Sequence, residues 1–336
     1  MSILTSLFAP TQLTPEGTPP VEPPPVRRER VLVMGAGPVG HALAGCLERA
    51  GFSLRHWSRS QGPLWQESAT REPADIVVFA VRDEAIAQAA QFIVEHGAAG
   101  PGSVLLHCAG ALAAEEAFAA QRERVAGIGL LHPLRSFAPL VPSTIAGAPV
   151  AAAVDLKGTV LAVGGDTLGL GTAEALALAM GGIVLKLPAE RLPAYHAAAV
   201  LAAGHVAVLL ATAVHLLRRI GLEQRVAERA LASLTRSVVD NIAEVGLPQA
   251  LTGPFARGDA ATVGKHLEAL ARISCEVTTI YRTLGYTAID MAHHKGTASP
   301  EALDRIRELL DRSEVPAGLP ADPAGPPADP ASSLAG

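Results

Sequence analysis

The chain has 336 residues, room for one large domain or two ordinary ones, and 49% of them are hydrophobic, so a sizeable core is available. Charged residues are only 18% and the net charge is −5, a balance that does not suggest a nucleic-acid surface. Cys46, Cys108 and Cys275 are dispersed, with no CxxC, and the histidines show no ligand spacing; no metal site and no disulfide framework are expected, and a reducing, cytoplasmic compartment is.

In chain order, residues 1–29 are Pro-rich and lack the basic n-region of a signal peptide; they are expected to be disordered. From 30 to 188, short β-branched runs alternate with alanine-rich helical stretches. Predicted strands are Arg30–Met34, Ser53–Trp57, Ile76–Ala80, Ser103–Cys108, Gly127–Leu131, Ala148–Val154, Val160–Gly164 and Ile183–Lys186. This alternation predicts an α/β domain with a Rossmann-type parallel sheet and helices on both faces. From 189 to 313 no convincing strand remains, and helical runs are predicted over 190–219, 222–244, 260–285 and 299–312, an all-helical C-terminal domain. The Pro/Ala-rich tail, 314–336, is expected to be disordered.

The first strand runs into Gly35-x-Gly37-x-x-Gly40, which opens a helix over His41–Ala50 with Gly51 just past its end. A strand, a glycine turn, a helix and a second strand, in that order, make a dinucleotide site. Gly35 permits the tight turn, Gly37 lets the backbone approach a pyrophosphate, and Gly40 lets helix and strand pack closely. Pro38 and Val39 complete the turn, whose amides and helix dipole face the phosphate. The acid expected at the end of the second strand is absent, and Ser58-Arg59-Ser60 stands there instead. A carboxylate repels a 2′-phosphate, whereas an arginine fork with flanking hydroxyls binds it, so NADP(H) is favoured over NAD(H). Val81, Arg82 and Asp83 lie at the third strand tip, where adenosine and ribose would pass; Asp83 equally suits a helix cap. "LLHCAG" (105–110) brings Cys108 to the next edge, beside the nicotinamide end.

Leu192 to Leu217 carries no charged residue and is long enough to span a bilayer, but it is alanine-rich and holds three histidines. A buried or dimer-covered helix is expected there, with no membrane.

Four later segments, "GLLHPLRSFA" (129–138), "GGDTLGLGTAEALALAMGG" (164–182), "LPAYHAAAVLAAGHVAVLLATAVHLLRRIG" (192–221) and "ALTGPFARGDAATVGKHLEAL" (250–270), together with the glycine turn, resemble the Rossmann-like and DUF2520 domain-containing proteins. That family is similar in architecture to ketopantoate reductases, pyrroline-5-carboxylate reductases and β-hydroxyacid dehydrogenases. The resemblance implies an NADP-dependent reductase working between a nucleotide domain and a helical domain, as a homodimer through the latter. Wider kinship points to a small 2-oxo acid substrate, ketopantoate (2-dehydropantoate) first, and hence to pantothenate biosynthesis. Two alternatives stand beside it: an imine reductase of the pyrroline-5-carboxylate type, and a non-catalytic NADP(H)-binding protein.

Ketone reduction needs an acid for the developing alkoxide and a cation for the substrate carboxylate. Kindred enzymes use a lysine here, yet this chain has none between Lys186 and Lys265. The acid candidates are His196, in "AYHAAA", and His132, in "HPLRSF". Arg257 is the candidate carboxylate clamp and Thr252 lies in the same turn; Asp259 suits a helix cap. Gly204 stands where the family commonly has asparagine, and His205 faces away from His196 on any straight helix.

Overall fold

The computed structural model describes residues 29–58, 72–137 and 154–312. Arg59, Ser60, all but the last residue of the expected strand Ala148–Val154, residues 1–28 and the tail 314–336 fall outside them. Among the described residues the chain divides into a sheet unit running to Val206 and a helical unit beginning at Ala207.

The sheet has seven strands: β1 (Arg30–Met34), β2 (Ser53–Trp57), β3 (Ile76–Phe79), β4 (Val104–His107), β5 (Gly127–Pro133), β6 (Val160–Gly165) and β7 (Ile183–Lys186), in the order β2-β1-β3-β4-β5-β6-β7. The helices of this unit are α1 (Pro38–Arg49), α2 (Ile86–Glu95), α3 (Ala114–Ala117), α4 (Thr167–Ala179) and α5 (Leu192–Ala202). Strands β1 to β5 are parallel; β1, β3 and β4 are too apolar for a solvated face, whereas the edge strand β2 is polar in part and only half-buried. Val31, Val33, Val78 and Leu106 pack with Leu43 and Leu47 of α1 and Leu176 of α4. Leu32, Phe79, Leu105 and Ile128 pack on the other face with Ile86 and Ile93 of α2 and with Phe118. Burial on both faces is what makes parallel strands read as continuous hydrophobic runs.

One expectation is corrected. The sheet is not wholly parallel: β6 pairs antiparallel with β5, His132 opposite Ala162, and β7 follows β6 in parallel. An antiparallel neighbour needs only a return of the chain, not a helical crossover.

The helical unit holds most of α6 (Gly204–Arg219), then α7 (Gln224–Val245), α8 (Gly253–Arg257), α9 (Ala260–Ala271), α10 (Cys275–Lys295) and α11 (Pro300–Asp311). Its core joins Val263 and Leu267 of α9, Ile289 and Ala292 of α10, and Leu303 and Ile306 of α11. The run expected over 260–285 is two helices. Ser274 accepts from the Val277 amide and starts α10 as an N-cap, so α9 stops short of it. The run over 190–219 is also two, bent at Ala203 (φ −116°, ψ −73°). The straight-helix premise for His196 and His205 therefore fails, and His205 is exposed within this chain.

Ala189–Arg219 is long and apolar enough to cross a membrane by length and composition, and none of its most apolar window is buried. Among the described residues nothing supplies the expected burial.

Candidate functional site

Strands β2 and β3 flank β1, so the chain runs outward from β1 in opposite directions, and the switch point lies between β1 and β3. In such sheets ligands bind outside the carboxyl edge at that point. The glycine turn sits there. Gly35 has φ +128°, and a Cβ on it would lie 2.2 Å from the Ala80 carbonyl oxygen, so only glycine fits. A Cβ on Gly40 would lie 2.1 Å from the Gly35 carbonyl oxygen, which is the close packing of α1 on β1. Around Gly37 nothing lies within 4 Å of that position, so this side of the turn is open. Gly37 is the N-cap of α1 and brings no side-chain cap, Pro38 follows it, and the first turn holds no acid. The free first-turn amides and the helix dipole thus face an open space, as an anionic phosphate requires. The residues present fit a dinucleotide.

Two histidines hold the turn from behind, unforeseen from the sequence. His56 on β2 donates from Nε2 to the Gly35 carbonyl at 2.7 Å, and His41 donates from Nδ1 to the Gly37 carbonyl at 3.1 Å. Their rings meet edge to face, 4.7 Å between centroids.

Val81 and Arg82 follow β3 as expected. Arg82 pairs with Glu84 at 3.0 Å in solvent, and Asp83 opens a short 3₁₀ turn without capping it. Cys108 is a half-buried residue whose thiol is pushed up to about 12 by burial, which does not suit a nucleophile.

The second cluster stands at the same edge, on β4 and β5. His132 ends β5, and α5 brings Tyr195 and His196 to it. The Tyr195 hydroxyl lies 2.8 Å from His132 Nδ1, and the His132 and His196 rings are 5.8 Å apart and nearly perpendicular. Gly110 lies between them: a Cβ there would stand 2.5 Å from His196 Nδ1 and 2.8 Å from His132 Nε2. His196 Nδ1 is buried and makes no hydrogen bond among the described residues. Behind this pair His107, fully buried at the end of β4, accepts from the Ala109 amide at Nδ1 (3.2 Å) and so holds the 107–110 turn. Its Nε2 is buried without a partner among the described residues.

Burial is the main cause that holds both inner rings neutral. His107 is lowered to about 4, with His132 a second cause, and His132 is lowered to about 4, with His196 a second cause. Burial also pushes Tyr195 up to about 12, so its phenol keeps its proton. His132 is therefore not a charged acid at neutral pH, and the candidate role narrows to a neutral hydrogen-bond donor.

His132 and His196 are thus brought together in the sheet unit. Thr252 and Arg257 belong to the helical unit, at the two ends of α8. Thr252 is its N-cap without a side-chain bond, and Arg257 closes it before Gly258 (φ +67°). Lys295 donates to the Gln249 and Leu251 carbonyls at 2.8 and 2.7 Å and so anchors the approach to Thr252. Asp259 caps α9, accepting from the Thr262 amide and hydroxyl. At Gly204 a Cβ would meet only Val200 Cγ1, at 3.8 Å.

Sequence reasoning missed His107, Gly110 and the part played by Tyr195. "HCAG" at a strand tip and the "YH" pair were the available signals, but nothing local says that residues 110, 132 and 196 meet. A pocket of about 270 Å³ lined by Leu130, Val163, Lys186 and Leu192 contains none of the three histidines. Its Lys186 is paired with Glu174 at 2.8 Å, so the chemistry is not placed there.

The fold and the glycine turn define a Rossmann-like protein with a helical C-terminal unit. Residues 159–288 match the family model described as a domain of unknown function, DUF2520. Among solved structures, it is similar to a Bacteroides fragilis protein provisionally called an NADP oxidoreductase, at 22% identity and TM-score 0.59, over 78% of this chain and 98% of that one. It is also similar to a Thermotoga maritima protein whose name states no activity, at 21% identity and TM-score 0.54, over 83% and 98%. Both likenesses are of fold. No curated protein sequence matches the chain.

Proposed function

We propose that the protein is an NADPH-dependent reductase of small carbonyl compounds, with a 2-oxo acid such as ketopantoate as the first candidate substrate. One observation carries this reading: a single sheet edge holds both an open, uncapped glycine turn and a pair of converging imidazoles. Three strand spacings separate β1 from β5, about 14 Å, which suits the nicotinamide half of a dinucleotide and a small substrate. Gly35, Gly37, Pro38, Val39 and Gly40 would hold the pyrophosphate; Ser58, Arg59 and Ser60 the 2′-phosphate; Val81, Arg82 and Cys108 would line the path. A bound reduced nicotinamide supplies a hydride. His132 would hold the substrate oxygen as a neutral donor and His196 would protonate it; Arg257 and Thr252, in the helical unit, are proposed as carboxylate-binding residues. The kinship of fold with a protein called an NADP oxidoreductase supports the cofactor.

The test is NADPH consumption by the purified chain with ketopantoate and a panel of 2-oxo acids. Turnover on at least one is expected. Tight NADPH binding with no turnover would leave a non-catalytic binding protein. A second reading is favoured by His132 being held to about 4: an imine arrives already protonated and needs no strong acid. Activity on cyclic imines that survives both His132→Ala and His196→Ala would select it.

A homodimer is part of the proposal. On α7 the exposed residues Leu234, Val238, Ile242 and Val245 recur at helical spacing, and Leu201 and Val208 are exposed on α5 and α6. A second copy of this chain is the occupant that such a stripe needs.

A further inference from the structure

Gly35 is held on both sides by consecutive residues of β2. Its amide donates to the Trp57 carbonyl at 2.9 Å, and its carbonyl accepts from His56 Nε2 at 2.7 Å. A carbonyl oxygen only accepts, so the hydrogen in that contact belongs to the ring nitrogen. The same holds for His41 Nδ1, 3.1 Å from the Gly37 carbonyl oxygen. The two half-buried rings meet edge to face with 4.7 Å between centroids, and each restricts the other's rotation. The geometry points to His56 and His41 as positioning residues for the cofactor: a two-ring clasp that fixes the peptide planes of the turn and so aims its amides at the pyrophosphate. This rests on the dinucleotide reading of the turn and is independent of which substrate is reduced.

A trans peptide points its carbonyl and its N–H to opposite sides. Holding the Gly35 oxygen against His56 therefore turns the Ala36 N–H away from β2. Ala36 is exposed, and its amide has no hydrogen-bond partner among the described residues. Beyond it the Gly37 side of the turn is open, and the uncapped start of α1 follows. An amide fixed in direction but without a partner, next to that helix start, is a donor ready for a phosphate oxygen.

Glycine makes such a grip necessary. Ala36 stands between two glycines, the residues whose backbones move most freely. Gly40 crowds the Gly35 oxygen, but a close approach limits where that oxygen goes and does not orient it as a hydrogen bond does. With both carbonyls held, the turn has its binding conformation before the cofactor arrives, and less ordering cost falls on binding. The Gly37 oxygen already accepts from the His41 amide at 3.1 Å, so the larger part of the His41 ring is to hold His56 in place. The clasp acts through the turn alone, so its effect is blind to the 2′-phosphate.

Binding measurements on the full chain test this. His56→Phe keeps an aromatic ring against His41 and removes the donor, and His56→Gln returns an N–H near the Nε2 position. His56→Phe is expected to raise the Kd for NADPH and for NADH by one common factor, about five- to tenfold, and His56→Gln to restore affinity to within about twofold of the wild type. Adenosine 2′-monophosphate has the 2′-phosphate and no pyrophosphate; its Kd is expected to stay unchanged in both variants, which also reports an intact fold. His41→Leu is expected to cost less than His56→Phe, and the two together less than their sum in free energy. In ¹⁵N-histidine NMR, His56 is expected to carry hydrogen on Nε2. Wild-type affinity for NADPH in His56→Phe, a loss confined to NADPH, an equal loss on adenosine 2′-monophosphate, or a neutral His56 with its hydrogen on Nδ1 overturns the clasp and leaves the dinucleotide reading standing. A wild-type chain that binds neither NADPH nor NADH overturns that reading and the clasp with it.

Discussion

Gly40 has no room for a methyl group. Its Cβ would lie 2.1 Å from the Gly35 carbonyl oxygen, a backbone atom that cannot yield without moving the turn. Gly40→Ala is expected to weaken NADPH binding at least tenfold, and to cost about 1–3 kcal/mol of stability as an overpacked contact; fluorescence titration and urea midpoints measure the two. In the proposed reading Arg59 meets the 2′-phosphate, which NADPH carries and NADH lacks. Arg59→Ala should raise the Kd for NADPH about tenfold, roughly the loss of one charge-assisted phosphate contact, and leave NADH binding unchanged; equal losses for both would remove Arg59 from the 2′-phosphate. His107 gives a pH signature. The folded chain holds it neutral down to about 4, against 6.5 when unfolded. Below 6.5 the unfolded state therefore binds the extra proton, so stability is full above pH 6.5 and falls as pH drops toward 4. The fall attributable to this ring is about 3 kcal/mol across that window. His107→Asn, which keeps an acceptor for the Ala109 amide, should flatten the decline in unfolding midpoint between pH 7 and 4.5.

Among elements, α4 depends on one carboxylate. Asp166 accepts from the Gly169 amide as N-cap of α4 (2.7 Å), from the Ile128 amide of β5 (3.1 Å), and pairs with Arg122 at 3.2 Å. It thereby ties helix, strand and the turn before β5 at one point. Asp166→Ala should cost about 1–3 kcal/mol, a lost cap plus an unpaired strand amide, and lower the melting temperature by several degrees; a change under one degree would show that water replaces all three contacts. Elements were also what the sequence displayed most clearly. Strands β1, β2 and β7 begin and end where predicted; for β1 and β7 a continuous apolar run bounded by glycine or polar turns leaves little choice. The break at 272–274 was missed because arginine, isoleucine and serine are all tolerated within helices, and only the Ser274 cap reveals the restart.

For the whole molecule, the exposed stripe on α7 is the main unmet demand for burial. Leu234 is 61% and Val245 53% exposed. The chain is expected to sediment as a dimer, and Leu234→Glu to shift it to monomer with its circular dichroism intact. A wild type that is monomeric by light scattering would refute the second copy as the covering partner.

The sequence by itself determined the nucleotide turn and the change from strand–helix alternation to helices alone; the compact units divide between Val206 and Ala207 and not at the change near 189. The turn and the change follow from local rules: glycine spacing, a strand before it, a helix after it, and periodicity that changes once near 189. It also marked His132 and His196 singly. Only the tertiary structure decided that they meet around Gly110, that Tyr195 orders one of them, that His107 lies buried behind, and that β6 turns back antiparallel. Residues 110, 132 and 196 stand on three separate elements, and their proximity is a property of strand order and helix docking. Burial, which sets the protonation of His107 and His132, comes into being only when those elements pack.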